Sequence, residues 1–173
     1  MRRVIESLNR SRLSYMLTGA LASSYYGRPR TTLDVDVVVA ATRNDLTMLV
    51  ETLKTAGLVT EEQRLETAWQ SQYRIATVED KSSPHTLDII FVDGPLERKA
   101  GSVLGLPSFY QTPESLILAK LRMIKATLNP ERAATDREDI KAILKNTRVD
   151  LEDLRMRAQA EGTSEILEDL IRE

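Results

Sequence analysis

Asp34-Val35-Asp36 sits inside Asp34–Val39 (DVDVVV), a β-branched run that reads as a strand yet carries two acids. Alternation puts Asp34 and Asp36 on one face and Val35, Val37 and Val39 on the other. Their Cβ atoms then lie roughly 7 Å apart, twice the rise per residue. Two carboxylates on one strand face repel each other, and burying either one unpaired is costly or forces protonation. A hard divalent cation resolves that conflict, and Mg²⁺ favours one or two carboxylates together with substrate phosphates. Asp88 repeats the situation inside Thr86–Val92 (TLDIIFV), again a charge in an apolar strand. If the two strands are neighbours, three carboxylates converge on one patch, a set that suits a two-metal site. Mg²⁺ or Mn²⁺ is therefore the expected cofactor, with Asp34, Asp36 and Asp88 as its ligands. The plainer alternative is a set of solvated strand-end aspartates.

Composition removes several competing chemistries. The chain has no cysteine, which excludes disulfides, thiolate zinc sites and cysteine nucleophiles. Its single histidine, His85, excludes a multi-histidine metal site. Twenty-four Lys and Arg against 26 Asp and Glu leave a net charge of -2, so there is no global attraction to nucleic acid. At 173 residues the chain can bury a core without staples. The start lacks a signal-type apolar run, and no stretch is long enough to span a bilayer, so a cytoplasmic protein with no membrane partner is expected.

Along the chain, residues 2–12 read as an amphipathic helix, 15–18 as a strand, and Ala20–Tyr26 as a short helix stopped by Gly27. After Asp34–Val39, Thr42 opens a helix to about Ala56. Residues 60–70 fit either helix or extended chain. Tyr73–Val78 and Thr86–Val92 read as strands around the turn-like stretch EDKSSP. Near residue 112 the character changes. Thr112-Pro113 and Asn129-Pro130 each place a cap before a proline at the first helical position, and Asp150 and Thr163 can cap two further helices. The expected fold is α/β (α+β): a mixed sheet flanked by helices, with a core over 1–110 and a helical section over 111–173 packed on it.

Upstream of the acids, Thr18-Gly19-Ala20 joins a strand to a helix, where glycine permits close backbone approach and a helix start presents N–H groups to an anion. Arg28 and Arg30 lie in the loop feeding the acidic strand, where they either grip phosphate or are merely solvated. Leu17-Thr18-Gly19-Ala20, thirteen residues, Asp34-Val35-Asp36-Val37 and the later Asp88 together resemble the nucleotidyltransferases of the DNA polymerase β superfamily. Arg30-Thr31-Thr32-Leu33 looks like the run before the acids in the small prokaryotic branch that includes the type IV abortive-infection toxins. The resemblance covers about residues 15–145. It implies a nucleotidyltransferase-like core, metal binding at the three aspartates and nucleotide contacts at Gly19, Ala20, Arg28, Arg30 and Thr32. Ala20 replaces the usual Gly or Ser, and Ser23 or Ser24 is a partial substitute for the lost hydroxyl.

In the helical section, Lys120 borders the apolar stripe Ile117, Leu121, Ile124 and Leu128, while Arg132, Asp136 and Asp139 share a face of the next helix. The same toxins carry a comparable lysine and a Lys-Asp-x-x-Asp helix, which implies nucleotide contacts by Lys120 and Asp136. Thr135 stands where the second lysine would be. The plain reading is an Arg132–Asp136 pair at i,i+4, contributing about 0.2–0.5 kcal/mol.

The expected activity is transfer of NMP from an NTP such as ATP to an acceptor. By the resemblance, tRNA and protein are candidate acceptors, and a cognate antitoxin is a candidate partner. Two rivals stand beside it. One is a glycosyltransferase using Asp-x-Asp, which normally needs a longer chain. The other is a catalytically degenerate fold acting as a binding module or antitoxin-like partner.

Overall fold

The computed structural model describes residues 1–80 and 83–172. Chain contacts group the residues into two units: Met1–Leu21 with Thr31–Gln111, and Ala22–Arg30 with Thr112–Glu173. The second unit thus joins the loop before the acidic strand to the C-terminal helices.

The first unit is built on strands β1 (Ser14–Leu17), β2 (Asp34–Ala40), β3 (Ile75–Glu79), β4 (Thr86–Val92), β5 (Arg98–Val103) and β6 (Leu106–Gln111). They form one mixed sheet in the order β3-β4-β2-β1-β6-β5. β2 and β4 run parallel, while β1 and β3 are antiparallel to them. The alternation seen in the sequence is realised. Val35, Val37 and Val39 lie beside Leu87, Ile89 and Phe91, with Ala76 and Val78 on β3, and all eight are buried. Helices α1 (Arg2–Arg10), α3 (Leu46–Thr55) and α4 (Glu62–Gln70) contribute Val4, Ile5, Leu8, Leu46, Leu49, Leu53 and Leu65 to the core. Each such side chain stabilises the fold by about 1.5–3 kcal/mol when fully buried. The 60–70 ambiguity resolves to helix.

Two departures from the expected elements have local causes. β3 starts at Ile75 rather than Tyr73 because Arg74 adopts φ 51°, which breaks extended pairing. That backbone is held by side-chain contacts: the Arg74 guanidinium donates to both Asp93 oxygens and lies 5.2 Å from the centre of the Trp69 ring. The β5–β6 hairpin has no counterpart in the sequence reading. Its two-residue turn places both Leu104 (φ 52°) and Gly105 (φ 75°) at positive φ, the requirement of a type I′ hairpin. Leucine there gives no turn signal, and the mostly exposed β5 gives no apolar alternation. Of the turn-like stretch after β3, Lys81 and Ser82 lie outside the described residues.

α2 (Gly19–Tyr26) begins in the first unit and continues in the second. The second unit adds α5 (Pro113–Ala126), α6 (Pro130–Asn146), α7 (Leu151–Ala160) and α8 (Ser164–Arg172). Three of the four expected caps form. The Thr112 hydroxyl accepts from Ser115 N–H, Asn129 Oδ1 from Glu131 and Arg132, and Asp150 Oδ1 from Glu152 and Asp153. Thr163 differs: its hydroxyl donates back to the Ala158 carbonyl. α5 also stops short of Leu128, because Thr127 is already extended before Asn129-Pro130, so Leu128 leaves the apolar stripe and is exposed. Ile117, Leu121, Ile140, Ile143, Leu154, Leu167 and Leu170 form the unit's interior. Among the described residues, no helix is long and apolar enough to cross a membrane.

Candidate functional site

In the first unit the parallel β2–β4 ladder sets Asp36 directly opposite Asp88 and Asp34 opposite Thr86. The expected neighbour relation between the two acidic strands is therefore present, in register. β3 extends both rungs, pairing Thr77 with Asp88 and Glu79 with Thr86. On these strands the apolar face is buried and the acid-bearing face is open: Asp34 is exposed, and Asp36 and Asp88 are half-buried.

The carboxylates are held in different ways. Asp34 Oδ1 accepts from the Thr86 hydroxyl at 2.7 Å, and Asp88 Oδ1 accepts from the Thr77 hydroxyl at 2.6 Å. Neither Asp34 nor Asp88 has a cation partner among the described residues. Asp36 turns toward Gly19. A Cβ placed on Gly19 would come within 2.7 Å of Asp36 Cγ and overlap its carboxylate. Gly19 also has φ 56°, so the glycine is required both for its backbone conformation and for the space that Asp36 fills. Thr18 N–H donates to the Asp36 carbonyl at 3.0 Å and so ties the end of β1 to the acidic strand.

The convergence expected of three carboxylates is consequently met by the backbone and not by the side-chain tips. Among the described residues, no group of three or more His, Cys, Asp or Glu side chains is gathered so as to hold a metal ion. The donor chemistry nonetheless fits Mg²⁺ or Mn²⁺, being all oxygen, on one open sheet face, beside a glycine that leaves room for the central carboxylate.

The other expected contacts are distributed as follows. Ala20 is buried in the first turn of α2. Thr32 is a backbone brace: its hydroxyl donates to the Asp34 carbonyl at 3.1 Å and accepts from Asp34 N–H at 3.2 Å. In the second unit, Ser23 is 1% exposed and so is an interior group. Arg28 and Arg30 line an open cavity of about 460 Å³ with Asp139, Lys141 and Lys145.

The position expected for Lys120 is corrected by the structure. Instead of standing at a cleft edge it is 7% exposed, and its Nζ donates to Asp136 Oδ1 at 2.7 Å and to Asp139 Oδ2 at 2.8 Å. Arg30 adds a 3.3 Å contact to Asp139 Oδ2. The anticipated Arg132–Asp136 pair is thus replaced by Lys120–Asp136, because Lys120 reaches the buried side of α6. Thr77 and Thr86 were missed as partners of the acids. Their signal was present for Thr86, which stands two residues before Asp88 on the same strand face. For Thr77 it required the strand pairing.

By sequence, no family model matches the chain and no curated relative does. Solved structures do match. ANT(2'')-Ia in complex with adenylyl-2''-tobramycin aligns with a TM-score of 0.67 at 13% identity, covering 92% of each chain. The solution structure of the antibiotic-resistance factor ANT(2'')-Ia aligns at 0.64 and 14% identity, covering 97% of this chain and 92% of the other. An antigenic nucleotidyltransferase-like protein from Paracoccidioides brasiliensis aligns at 0.55 and 15% identity, covering 92% and 86%. The chain accordingly has a nucleotidyltransferase fold. Identities this low carry the fold, and they do not single out the abortive-infection branch.

Proposed function

We propose that this protein transfers a nucleoside monophosphate from an NTP to a nucleophilic group of an acceptor, releasing pyrophosphate. The observation that carries the reading is the register of Asp36 against Asp88, with Asp34 one rung away, on the open face of a sheet whose other face is apolar core. Acids directly opposite one another on neighbouring strands repel, a cost that a shared cation would remove.

In this reading Asp34, Asp36 and Asp88 would hold Mg²⁺. The bound ion would neutralise the triphosphate and make the attacking group more acidic. Asp88, across the rung from Asp36, would accept the proton of the attacking group. The start of α2, at Gly19 and Ala20, would lie against the phosphates, and Asp36 packs close to Gly19. Catalysis then consists of positioning and charge stabilisation, with no covalent enzyme intermediate. The splayed carboxylates favour one competing reading, a degenerate module that binds nucleotide without transferring it.

The test is incubation of the purified protein with Mg²⁺ and each α-labelled NTP. The acceptors are tRNA, mixed proteins and small polyols, including an aminoglycoside because of the tobramycin adduct of the structural neighbour. Metal-dependent labelling of one pool, abolished by Asp36→Asn, supports transfer. Metal-dependent NTP binding with no labelled product supports the degenerate module. Absence of both overturns the reading of the acidic face.

A further inference from the structure

The structure assigns to Thr77 and Thr86 the role of positioning residues, holding Asp88 and Asp34 for a divalent cation. This inference rests on the reading of those aspartates as metal ligands. Three adjacent strands build a regular pattern on the open face. One rung runs Asp36, Asp88, Thr77, and the next runs Asp34, Thr86, Glu79. In each rung a threonine occupies the position beside an acid, one strand further toward the β3 edge. Both hydroxyls donate to the neighbouring carboxylate, at 2.6 Å from Thr77 and 2.7 Å from Thr86.

A threonine has a single O–H to donate, so each of these donors is committed to one carboxylate oxygen, Oδ1. That fixes the plane of the carboxylate and leaves Oδ2 for a cation. Hydrogen bonds to charged acceptors are short and strong, and these two are of that kind. Thr77 also disperses charge on the Asp36–Asp88 rung, where neighbouring strands put two acids only about 4.8 Å apart. Partners of this sort around a metal site orient the ligands, and their loss typically weakens metal binding about 10–100-fold. Two threonines in such equivalent positions would also be favoured simply as β-branched strand residues. Valine separates the two explanations, because it keeps the branched shape and removes the hydroxyl.

The experiment titrates Mn²⁺ into the apo protein and follows free Mn²⁺ by electron paramagnetic resonance, without nucleotide. Thermal melts of each variant accompany the titration. Thr77→Val and Thr86→Val are expected to bind Mn²⁺ about 10–100-fold more weakly while melting no lower than wild type. Thr77→Ser, which restores the hydroxyl, recovers most of the affinity. In the transfer assay Thr77→Val lowers kcat more than it raises KM for NTP, since Asp88 is the residue it orients. Wild-type affinity in both valine variants, with binding still lost in Asp36→Asn, overturns the positioning role and leaves the carboxylate site intact. Absence of Mn²⁺ binding in the wild type itself overturns the carboxylate site, and the positioning role falls with it.

Discussion

Two groups of aspartates in this protein meet opposite solutions to the same electrostatic problem. Asp136 and Asp139 are buried in the helical unit and are matched there by two cations, Lys120 and Arg30. Asp34 and Asp88 lie on the open face of the sheet unit and are matched, among the described residues, by neutral hydroxyls. The first cluster is electrically closed. It needs nothing from outside, and breaking it exposes a buried charge. The second has hydrogen bonds but, among the described residues, no counter-charge, so its charge is available to a cation from solution. The difference teaches how to separate structural from functional acids: the question is whether the fold itself supplies the opposite charge.

The sharpest way to break this comparison is Asp36→Asn. Transfer should fall on the order of 10³-fold or more, comparable with losing a major electrostatic group in an active site. The melting temperature should stay level or rise, because like-charge repulsion is relieved. A marked drop in melting temperature would mean that the sheet acids hold the fold together as the helical ones do.

The mirror experiment is Lys120→Met, which keeps the apolar stem and removes the charge. It leaves two buried carboxylates short of a partner and should destabilise the protein by about 3–5 kcal/mol, measured by urea unfolding. Adding Asp136→Asn and Asp139→Asn to that variant should recover most of the loss. The KM for NTP of the folded fraction should be unchanged. A raised KM at undiminished stability would instead place Lys120 in nucleotide binding, as the sequence alone suggests.

A smaller effect is expected from Gly19→Ala. A non-glycine residue at positive φ costs about 1–2 kcal/mol, and the new Cβ must also displace the Asp36 carboxylate. Calorimetry should register the strain, and Mn²⁺ titration should register the displacement as weaker binding. Strain without any change in Mn²⁺ affinity would detach the glycine from the metal site.

The smallest effect calibrates an exposed ion pair. Hydrogen bonds from Arg74 hold the Asp93 carboxyl below its ordinary value of 3.8. A carboxylate whose pKa is lower in the folded state adds stability above its unfolded pKa and loses it as pH falls through the folded one. The difference in melting temperature between wild type and Asp93→Asn should therefore be slight near neutrality, shrink as pH falls below 3.8 and vanish once the folded carboxylate is also protonated. A difference that persists there would point to the Arg74 backbone rather than to charge.

Much of the sheet unit was legible because period-two alternation and the misplaced acids speak directly of strands. Asp34–Ala40 and Thr86–Val92 follow from the pattern, and their adjacency followed from asking what makes three interior acids tolerable. The proline-preceded caps of α5 and α6 were equally plain. The Leu104-Gly105 hairpin was not, since its turn relies on a leucine at positive φ, which carries no sequence signal. The surroundings of Lys120 were misread for a different reason. A lysine at the border of an apolar stripe points outward or inward according to what the facing helix offers. Only the packing of α5 on α6 shows that Asp136 and Asp139 are waiting on the inward side.

The interleaving of the two units also bears on how the chain is made. Ala22–Arg30 belongs with helices that begin roughly eighty residues later, at Thr112. At about 5–20 residues per second, the ribosome needs roughly 4–16 s merely to reach the first of them. During that interval Tyr26 has no helical interior to enter, and Arg30 has no Asp139. The sheet strands emerge first and have no such wait. A nascent chain stalled before residue 112 is therefore a sheet carrying a dangling basic loop, which a chaperone or a protease meets before the finished protein exists. Fragments cut at residue 111 inherit the same defect, because the helical piece lacks its own Arg30. Co-expression of the two halves restores it only if the loop finds its helices in trans.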